Sequence, residues 1–120
     1  MKRLSILGST GSIGTQALET CEKNGWEITA LAAGRNVKIA EAQARKFKPQ
    51  FVAMFDKDAA AELKVKLADT DIKVYSGEEG VIAAAESDCD TVLNSVVGIA
   101  GLRPTLAAIN KGTTVALANK

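Results

Sequence analysis

Residues 3–15 read R-L-S-I-L-G-S-T-G-S-I-G-T, and this stretch decides the fold. Its first five residues form a mainly apolar run typical of a short buried β-strand, which ends at the first glycine. From Ile13 onward the apolar positions are four residues apart, which predicts an amphipathic helix. A strand, a glycine-rich turn and a helix in direct succession are typical of the first unit of a doubly wound α/β domain.

The turn itself contains three glycines, Gly8, Gly11 and Gly14. We expect the first to allow a sharp turn, the second to let the backbone approach a diphosphate, and the third to let the helix pack closely on the sheet. The spacing is G-x-x-G-x-x-G, a variant of the G-x-G-x-x-G found in many NAD-binding proteins. A nucleoside triphosphatase is excluded, because a P-loop requires a lysine directly after its last glycine.

Backbone N–H groups at the start of this helix would face a bound anion, where the helix dipole favours negative charge. Thr10 and Ser12 add hydroxyl donors at the same place. The simpler interpretation is a glycine turn followed by a helix cap, but the position directly after the first strand favours a dinucleotide site. The predicted diphosphate-binding residues are Thr10, Gly11, Ser12 and Ile13.

The remainder of the chain continues the alternation of strands and helices. Apolar runs predict strands over residues 3–7, 27–33, 51–55, 72–75, 91–97 and 114–118. Between these strands, apolar residues recur at helical spacing, which predicts helices. The repeating residues are Ile13, Ala17 and Cys21 in the first helix and Val37, Ala40, Ala44 and Phe47 in the second. They are Ala60, Leu63 and Leu67 in the third helix and Leu102, Leu106 and Ile109 in the last. We predict helix caps at Asn36, Asp58 and Ser76, the last in a capping box with Glu79.

The predicted fold class is α/β, with a doubly wound, mostly parallel sheet in three α-β-α layers, similar to the Rossmann fold. We place the first strand centrally, the second and third on one side, and the strands from Thr91 and Thr114 on the other. The strand over 72–75 is expected at an edge. Residues 1–120 are expected to form one domain, whose ligands would bind at the carboxyl ends of the strands.

The tip of the second strand predicts which dinucleotide binds. NAD-selective sites place an acidic residue there to bind the ribose 2′-hydroxyl, whereas this chain has Gly34, Arg35 and Asn36. The arginine offers several donors to a 2′-phosphate. The alternative interpretation is a solvated arginine beside an ordinary helix cap. We predict NADPH as the cofactor, bound at this end by Gly34, Arg35 and Asn36.

Composition excludes several other functions. Fifteen Lys and Arg balance 14 Asp and Glu, and a net charge of +1 disfavours nucleic-acid binding. The chain has no histidine, and Cys21 and Cys89 form no ligand-spaced pair, so we expect no metal site and no disulfide framework. We interpret Cys21 as a core residue, and the acids on either side of Cys89, Asp88 and Asp90, as loop carboxylates that cap the backbone and are solvated. No apolar run is long enough for a membrane span, and a cytoplasmic location is expected.

Three blocks of sequence resemble the 1-deoxy-D-xylulose 5-phosphate reductoisomerase family: I-L-G-S-T-G-S-I-G near the start, L-A-A-G-R-N at the second strand end, and V-V-G-I-A-G-L-R-P-T-L-A-A-I followed by L-A-N-K. The resemblance covers only the cofactor domain of that family. It implies an NADPH- and divalent-metal-dependent enzyme (Mg or Mn) of isoprenoid biosynthesis that rearranges and reduces a phosphorylated sugar. It also implies that Asn119 lies near the nicotinamide, that Lys120 contacts the substrate, and that the full-length protein is a homodimer.

The resemblance places no catalytic group and no metal ligand within these residues, so we expect no turnover from them alone. Two other functions remain open on the sequence. One is the cofactor domain of an NADP-dependent semialdehyde or acyl-phosphate dehydrogenase, which would need a catalytic cysteine. The other is a stand-alone NADPH-binding module. Gly98 and Gly101 follow the fifth strand and are expected to lie near the nicotinamide, unless they form an ordinary loop.

Overall fold

The computed structural model describes residues 3–96 and 102–117, in which strands and helices alternate without exception. The strands are β1 (Arg3–Leu7), β2 (Glu27–Ala33), β3 (Phe51–Met54), β4 (Lys73–Ser76), β5 (Thr91–Asn94) and β6 (Thr114–Leu117). The helices are α1 (Ser12–Asn24), α2 (Val37–Phe47), α3 (Lys57–Lys66), α4 (Gly77–Ala85) and α5 (Leu102–Lys111). None of these helices is long and apolar enough to cross a membrane.

The strands form one sheet in the order β4-β3-β2-β1-β5-β6, and every neighbouring pair is parallel. This confirms the predicted fold class and strand order, with β1 in the interior of the sheet and β4 at an edge. Parallel strands covered on both faces need apolar side chains on both, which is why β2 is almost entirely buried. The edge strand β4 is correspondingly more exposed and carries Lys73 at its start.

Helices cover both faces of the sheet. On one face, α1, α2 and α3 bury an aliphatic cluster that includes Ile6, Leu18, Leu31, Ala40, Val52 and Leu63. On the other face, α4 and α5 bury a second cluster that includes Leu7, Ala32, Val81, Ala84, Val92 and Ala108. Alanine is frequent in both clusters, and its small side chain lets the helices lie close to the strands.

Most helix ends follow the local sequence signals. Gly25 ends α1 in the left-handed conformation, with φ of +68°, and its N–H binds the last carbonyls of the helix. Asn36 caps α2, as predicted, by accepting a hydrogen bond from the Ile39 N–H. The cap predicted at Asp58 is wrong: Asp56 caps α3 by accepting from the Ala59 N–H at 2.9 Å. The helix therefore begins two residues earlier than expected.

Two further predictions about element ends are also corrected. Ser76 precedes α4 as predicted, but its side chain makes no capping hydrogen bond. The fifth strand ends at Asn94 and does not continue towards residue 97, because the Asn94 side chain accepts the Val96 N–H at 2.9 Å. That local bond turns the chain away from the ladder. Residues 97 and 118 of the predicted strands lie outside the described residues.

The apolar face predicted for α5 is turned outward where its side chains are described. Leu106 is 49% exposed and Ile109 is 56% exposed. Pro104 and Ala108 are buried instead, so the helix packs on α4 and the sheet through its smaller residues. Hydrophobic spacing identified the helix but assigned the wrong side to the interior.

The difference in burial between two valines predicts a large effect of the same substitution at one site and a small effect at the other. Val52 in β3 is fully buried, whereas Val65 on α3 is 76% exposed. Val52→Ala is expected to lower the free energy of unfolding by about 2 kcal/mol, because buried methyl groups are lost and a cavity remains. Val65→Ala is expected to change it by less than about 0.5 kcal/mol, since alanine is the better helix former. Urea denaturation followed by circular dichroism measures both, and equal effects would contradict the described core.

Candidate functional site

The candidate site lies at the carboxyl edge of the sheet, where the turn after β1 meets the end of β2. The N–H groups of Gly8 and Ser9 both donate to the carbonyl of Ala32, at 2.7 and 3.0 Å. These bonds hold the glycine-rich turn against the last residues of β2, directly before Gly34 and Arg35. The two segments that the sequence singled out are therefore neighbours in space.

Gly8 and Gly14 are needed by the backbone of this turn. Gly8 has φ of +83°, and an added Cβ would lie 2.4 Å from the Ser95 hydroxyl oxygen. A Cβ on Gly14 would lie 2.2 Å from the Gly8 carbonyl oxygen and 2.8 Å from the Ser9 Cα. We expected Gly14 to allow close packing of α1 on the sheet, but the group it closely approaches is the backbone of the turn. This approach brings the first residues of α1 directly against the loop.

Gly11 has a different role from the other two glycines. It is the N-cap residue of α1 in an extended conformation, and a Cβ there would meet only the Gly8 carbonyl at an ordinary 3.6 Å. Its own N–H donates to that carbonyl at 3.2 Å, so it is not one of the free donors we expected. The first helical bond runs from the Thr15 N–H to the Gly11 carbonyl. The N–H groups of residues 12–14 therefore have no α-helical acceptor.

These donors make the start of α1 suitable for a diphosphate. Among the described residues no side chain caps the helix, and Gly11 and Ser12 are exposed. The observation that supports the fit is that Gly11 is exposed and a Cβ there would meet only an ordinary contact, so an anion can approach the start of the helix. Thr10 and Ile13, the residues before and after these two, are half-buried.

Arg35 and Asn36 lie at the exposed end of β2. Arg35 makes no ion pair with any residue in the described part of the chain, which leaves its guanidinium available to a ligand. The Asn36 Oδ1 is occupied by the Ile39 N–H at 3.2 Å, but the Nδ2 is still a donor. The capping role and a ligand-binding role of Asn36 are therefore compatible.

Two cavities open beside these residues. An open cleft of about 640 Å³ is lined by Gly34, Arg35, Phe55, Asp56, Lys57 and Asp58. A smaller apolar cavity of about 230 Å³ is lined by Gly8, Ala32, Ala33, Gly34, Phe55, Val81 and Val96. Gly34 and Phe55 border both cavities, and the Phe55 side chain is 50% exposed between them. The site thus combines a charged cleft with an apolar recess.

The carboxylates near Cys89 lie at the opposite edge of the sheet and bind Arg3. The Arg3 guanidinium pairs with Glu27 at 2.8 Å and with Asp88 at 3.2 Å, while the Arg3 N–H donates to Asp90 at 3.0 Å. The acids therefore pair with the start of β1 while they stay exposed to solvent. Within residues 3–96 and 102–117, no group of three or more potential ligands could bind a metal.

The two cysteines are free thiols away from the candidate site. Cys21 is only 2% exposed in the core beneath α1, as predicted, and burial raises the pKa of its thiol. Cys89 is half-buried, with its Sγ 3.7 Å from the Ser87 hydroxyl. Neither lines the charged cleft or the apolar cavity, so neither is placed to attack a ligand there.

Other predicted site residues lie outside the described residues, namely Asn119, Lys120, Gly98 and Gly101. The sequence reasoning also missed two residues that shape the turn. Ser95 donates its hydroxyl to the Leu7 carbonyl at 2.7 Å, and Gln43 donates its side-chain amide to the Ser9 carbonyl at 2.8 Å. Gln43 could have been noticed in the sequence, because it is a polar residue within the apolar face of α2.

Comparison with known proteins identifies the family. The family model for 1-deoxy-D-xylulose 5-phosphate reductoisomerase matches residues 4–120 of this chain. The chain belongs to the 1-deoxy-D-xylulose 5-phosphate reductoisomerase family. The enzyme of that name from Agathobacter rectalis is 52% identical over 122 residues, covering 100% of this chain and 32% of the relative. The Bacteroides fragilis enzyme is 47% identical, covering 99% and 31%. The chain thus spans about a third of the length of these relatives.

Solved structures of the family share the fold. A DOX-P reductoisomerase in complex with magnesium superposes with a TM-score of 0.94 at 37% identity, covering 99% of this chain and 31% of that chain. The Zymomonas mobilis enzyme in complex with NADPH superposes with a TM-score of 0.93 at 36% identity, covering 98% of this chain and 32% of that chain. This match does not favour the semialdehyde or acyl-phosphate dehydrogenase alternative.

The turn geometry predicts different tolerances for two of its glycines. Gly14→Ala is expected to lower the free energy of unfolding by about 1–3 kcal/mol, because its Cβ would collide with the Gly8 carbonyl. Gly11→Ala is expected to change it by less than about 0.5 kcal/mol, since its φ of −77° suits any residue and its Cβ has room. Urea denaturation compares the two variants, and a larger loss for Gly11→Ala would contradict the described turn.

Proposed function

We propose that residues 1–120 are the NADPH-binding domain of a protein that converts 1-deoxy-D-xylulose 5-phosphate to 2-C-methyl-D-erythritol 4-phosphate in isoprenoid biosynthesis. One observation carries the proposal. The uncapped start of α1 and the arginine after β2 are held together by the bonds from Gly8 and Ser9 to Ala32. This arrangement presents donors for a diphosphate and a cation for a 2′-phosphate at one edge of the sheet. Family membership and the NADPH complex of a relative support it.

The diphosphate of NADPH would bind at the start of α1. The exposed N–H groups there, with the helix dipole behind them, attract negative charge without any charged side chain. The residues proposed to hold it are Thr10, Gly11, Ser12 and Ile13. Gly11 would contribute by the absence of a side chain, because its N–H is already bound to the Gly8 carbonyl.

The 2′-phosphate would bind at Arg35, with Gly34 and Asn36 beside it. The cleft also contains Lys57, Asp56 and Asp58, so its charges must be weighed together. Asp56 is engaged as the cap of α3, and both acids follow β3 and not β2, where NAD-selective proteins place their acid. This arrangement supports selection of NADPH over NADH.

The adenine would bind in the apolar cavity next to Phe55. The lining of this cavity is apolar, and its border with the charged cleft at Gly34 suits an adenosine whose ribose carries a phosphate.

When bound, NADPH supplies the hydride that reduces the substrate. By resemblance, Asn119 would lie near the nicotinamide and Lys120 would contact the sugar phosphate. We also propose Mg²⁺ or Mn²⁺ in the full-length protein, a homodimer and a cytoplasmic location.

Reversing the charge at Arg35 tests the assignment of the 2′-phosphate. Arg35→Asp is expected to weaken NADPH binding by about 1.5–3 kcal/mol, because a charged hydrogen-bond donor is replaced by a repelling carboxylate. Isothermal titration calorimetry of this chain with NADPH and NADH measures the effect. NADH binding is expected to change much less, since NADH lacks the 2′-phosphate.

The matched control is Lys64→Asp, which makes the same charge change on an exposed residue in the last turn of α3. It is expected to leave NADPH affinity nearly unchanged. Equal affinities of the unmodified chain for NADPH and NADH would refute the role of Arg35.

The chain alone is expected to show no turnover. A cofactor domain binds NADPH but does not position the substrate or assemble a metal site. The test mixes this chain with NADPH, Mg²⁺ and 1-deoxy-D-xylulose 5-phosphate and follows NADPH absorbance. The enzyme from Agathobacter rectalis, assayed in parallel, verifies the reagents. Substrate-dependent loss of NADPH would show that the active site is complete within these residues.

A further inference from the structure

Gln43 is a polar residue buried in the apolar face of α2. It is 8% exposed, and its neighbours Ala40 and Ala44 on the same face are fully buried. Burying a primary amide is unfavourable unless its donors find acceptors. Helix α2 would pack on its neighbours without this amide, so its hydrogen bond needs a separate explanation.

The partner of Gln43 is the backbone of the glycine-rich turn. Its Nε2 donates to the Ser9 carbonyl oxygen at 2.8 Å, across 34 residues of sequence. The Thr15 hydroxyl reaches the same oxygen at the longer distance of 3.5 Å. Ser9 is fully buried, and its N–H donates to the Ala32 carbonyl. The Ser9 backbone is thus held on both sides, by β2 and by α2.

Holding the Ser9 carbonyl also fixes the next N–H group. In a trans peptide the carbonyl and the following N–H point in opposite directions. Because the Ser9 carbonyl points towards Gln43, the Thr10 N–H points away from α2. No acceptor for this N–H is found among the described residues. Loss of the Gln43 bond would free this peptide plane to rotate and turn the Thr10 donor away.

We propose that Gln43 is a positioning residue that orients the Thr10 N–H towards the cofactor diphosphate. The inference rests on the proposed function, because it names the diphosphate of NADPH as the group that this donor meets. The same helix begins directly after Arg35 and Asn36. Gln43 therefore ties the segment that reads the 2′-phosphate to the turn that binds the diphosphate. It need not touch the cofactor itself.

Because one polar atom of the Gln43 side chain has no hydrogen-bond partner, the test replaces Gln43 with an apolar residue of similar length. Among the described buried atoms, Gln43 Oε1 and Ser9 Oγ have no hydrogen-bond partner. Gln43→Met removes the donor to Ser9, loses an oxygen that binds nothing described, and keeps most of the volume. Gln16→Met is the matched control, because Gln16 is an exposed residue of α1 near the same turn.

The experiment compares two ligands. Gln43→Met is expected to weaken NADPH binding about fivefold, the effect of one hydrogen bond. It should leave binding of adenosine 2′-monophosphate, which has no diphosphate, unchanged. Calorimetry measures the first ligand and NMR titration the second. In the ligand-free NMR spectrum, the Thr10 amide signal is expected to shift in Gln43→Met and to stay in place in Gln16→Met.

Two binding outcomes would overturn the inference. Unchanged NADPH affinity would show that the bond does not orient a donor, and equal losses for both ligands would show a general packing role. If the unmodified chain does not bind NADPH, the proposed function fails for this chain, and the Thr10 amide signal alone decides whether Gln43 orients the peptide. If Gln43→Met does not fold, hydrogen exchange of the unmodified chain decides. Gln43 side-chain protons that exchange as fast as those of Gln16 refute the bond.

Discussion

The close approach of Gly14 to the Gly8 carbonyl is the constraint on which the site depends. Any side chain at position 14 would occupy the space of the turn, so only glycine lets α1 begin this near to β1. The helix therefore starts at the edge of the sheet, where Ser12 is exposed. The proposed anion binding therefore requires only the backbone and the helix dipole. The proposed site therefore needs no histidine or cysteine side chain; the sequence has no histidine, and both cysteines lie away from the site.

Parallel pairing brings the second functional segment to the turn. In a parallel sheet the carboxyl ends of neighbouring strands lie at the same edge, so the residues after β2 meet the residues after β1. The Ala32 carbonyl accepts two N–H groups from the turn and fixes this junction. Arg35 follows three residues later, exposed but on a short connection. The course of the backbone at the end of β2 therefore determines where the Arg35 charge lies.

Local signals predicted much of this arrangement. The glycine-rich turn and the Asn36 cap follow from residues adjacent in sequence. The strand order follows from the alternation of strands and helices, which is typical of a doubly wound sheet. The cap of α3 is predicted at Asp58 because the apolar spacing of this helix begins at Ala60, but Asp58 lies in the first turn and Asp56 is the cap. The choice of Asp56 is made by tertiary structure, since the Phe55 and Asp56 N–H groups bind the carboxyl end of β2. The outward face of α5 also depends on packing that spacing alone does not specify.

The Gln43 contact could not be predicted, because the signal for a buried glutamine does not name its partner. Its position on α2 nevertheless has a geometric consequence. Gln43 lies six residues after Val37, the first residue of α2, and a helix rises about 1.5 Å per residue, so these two are about 9 Å apart along the axis. A rigid helix thus sets the separation between the cation and the turn. An apolar residue at position 43 would pack as well, but it would leave that separation unspecified.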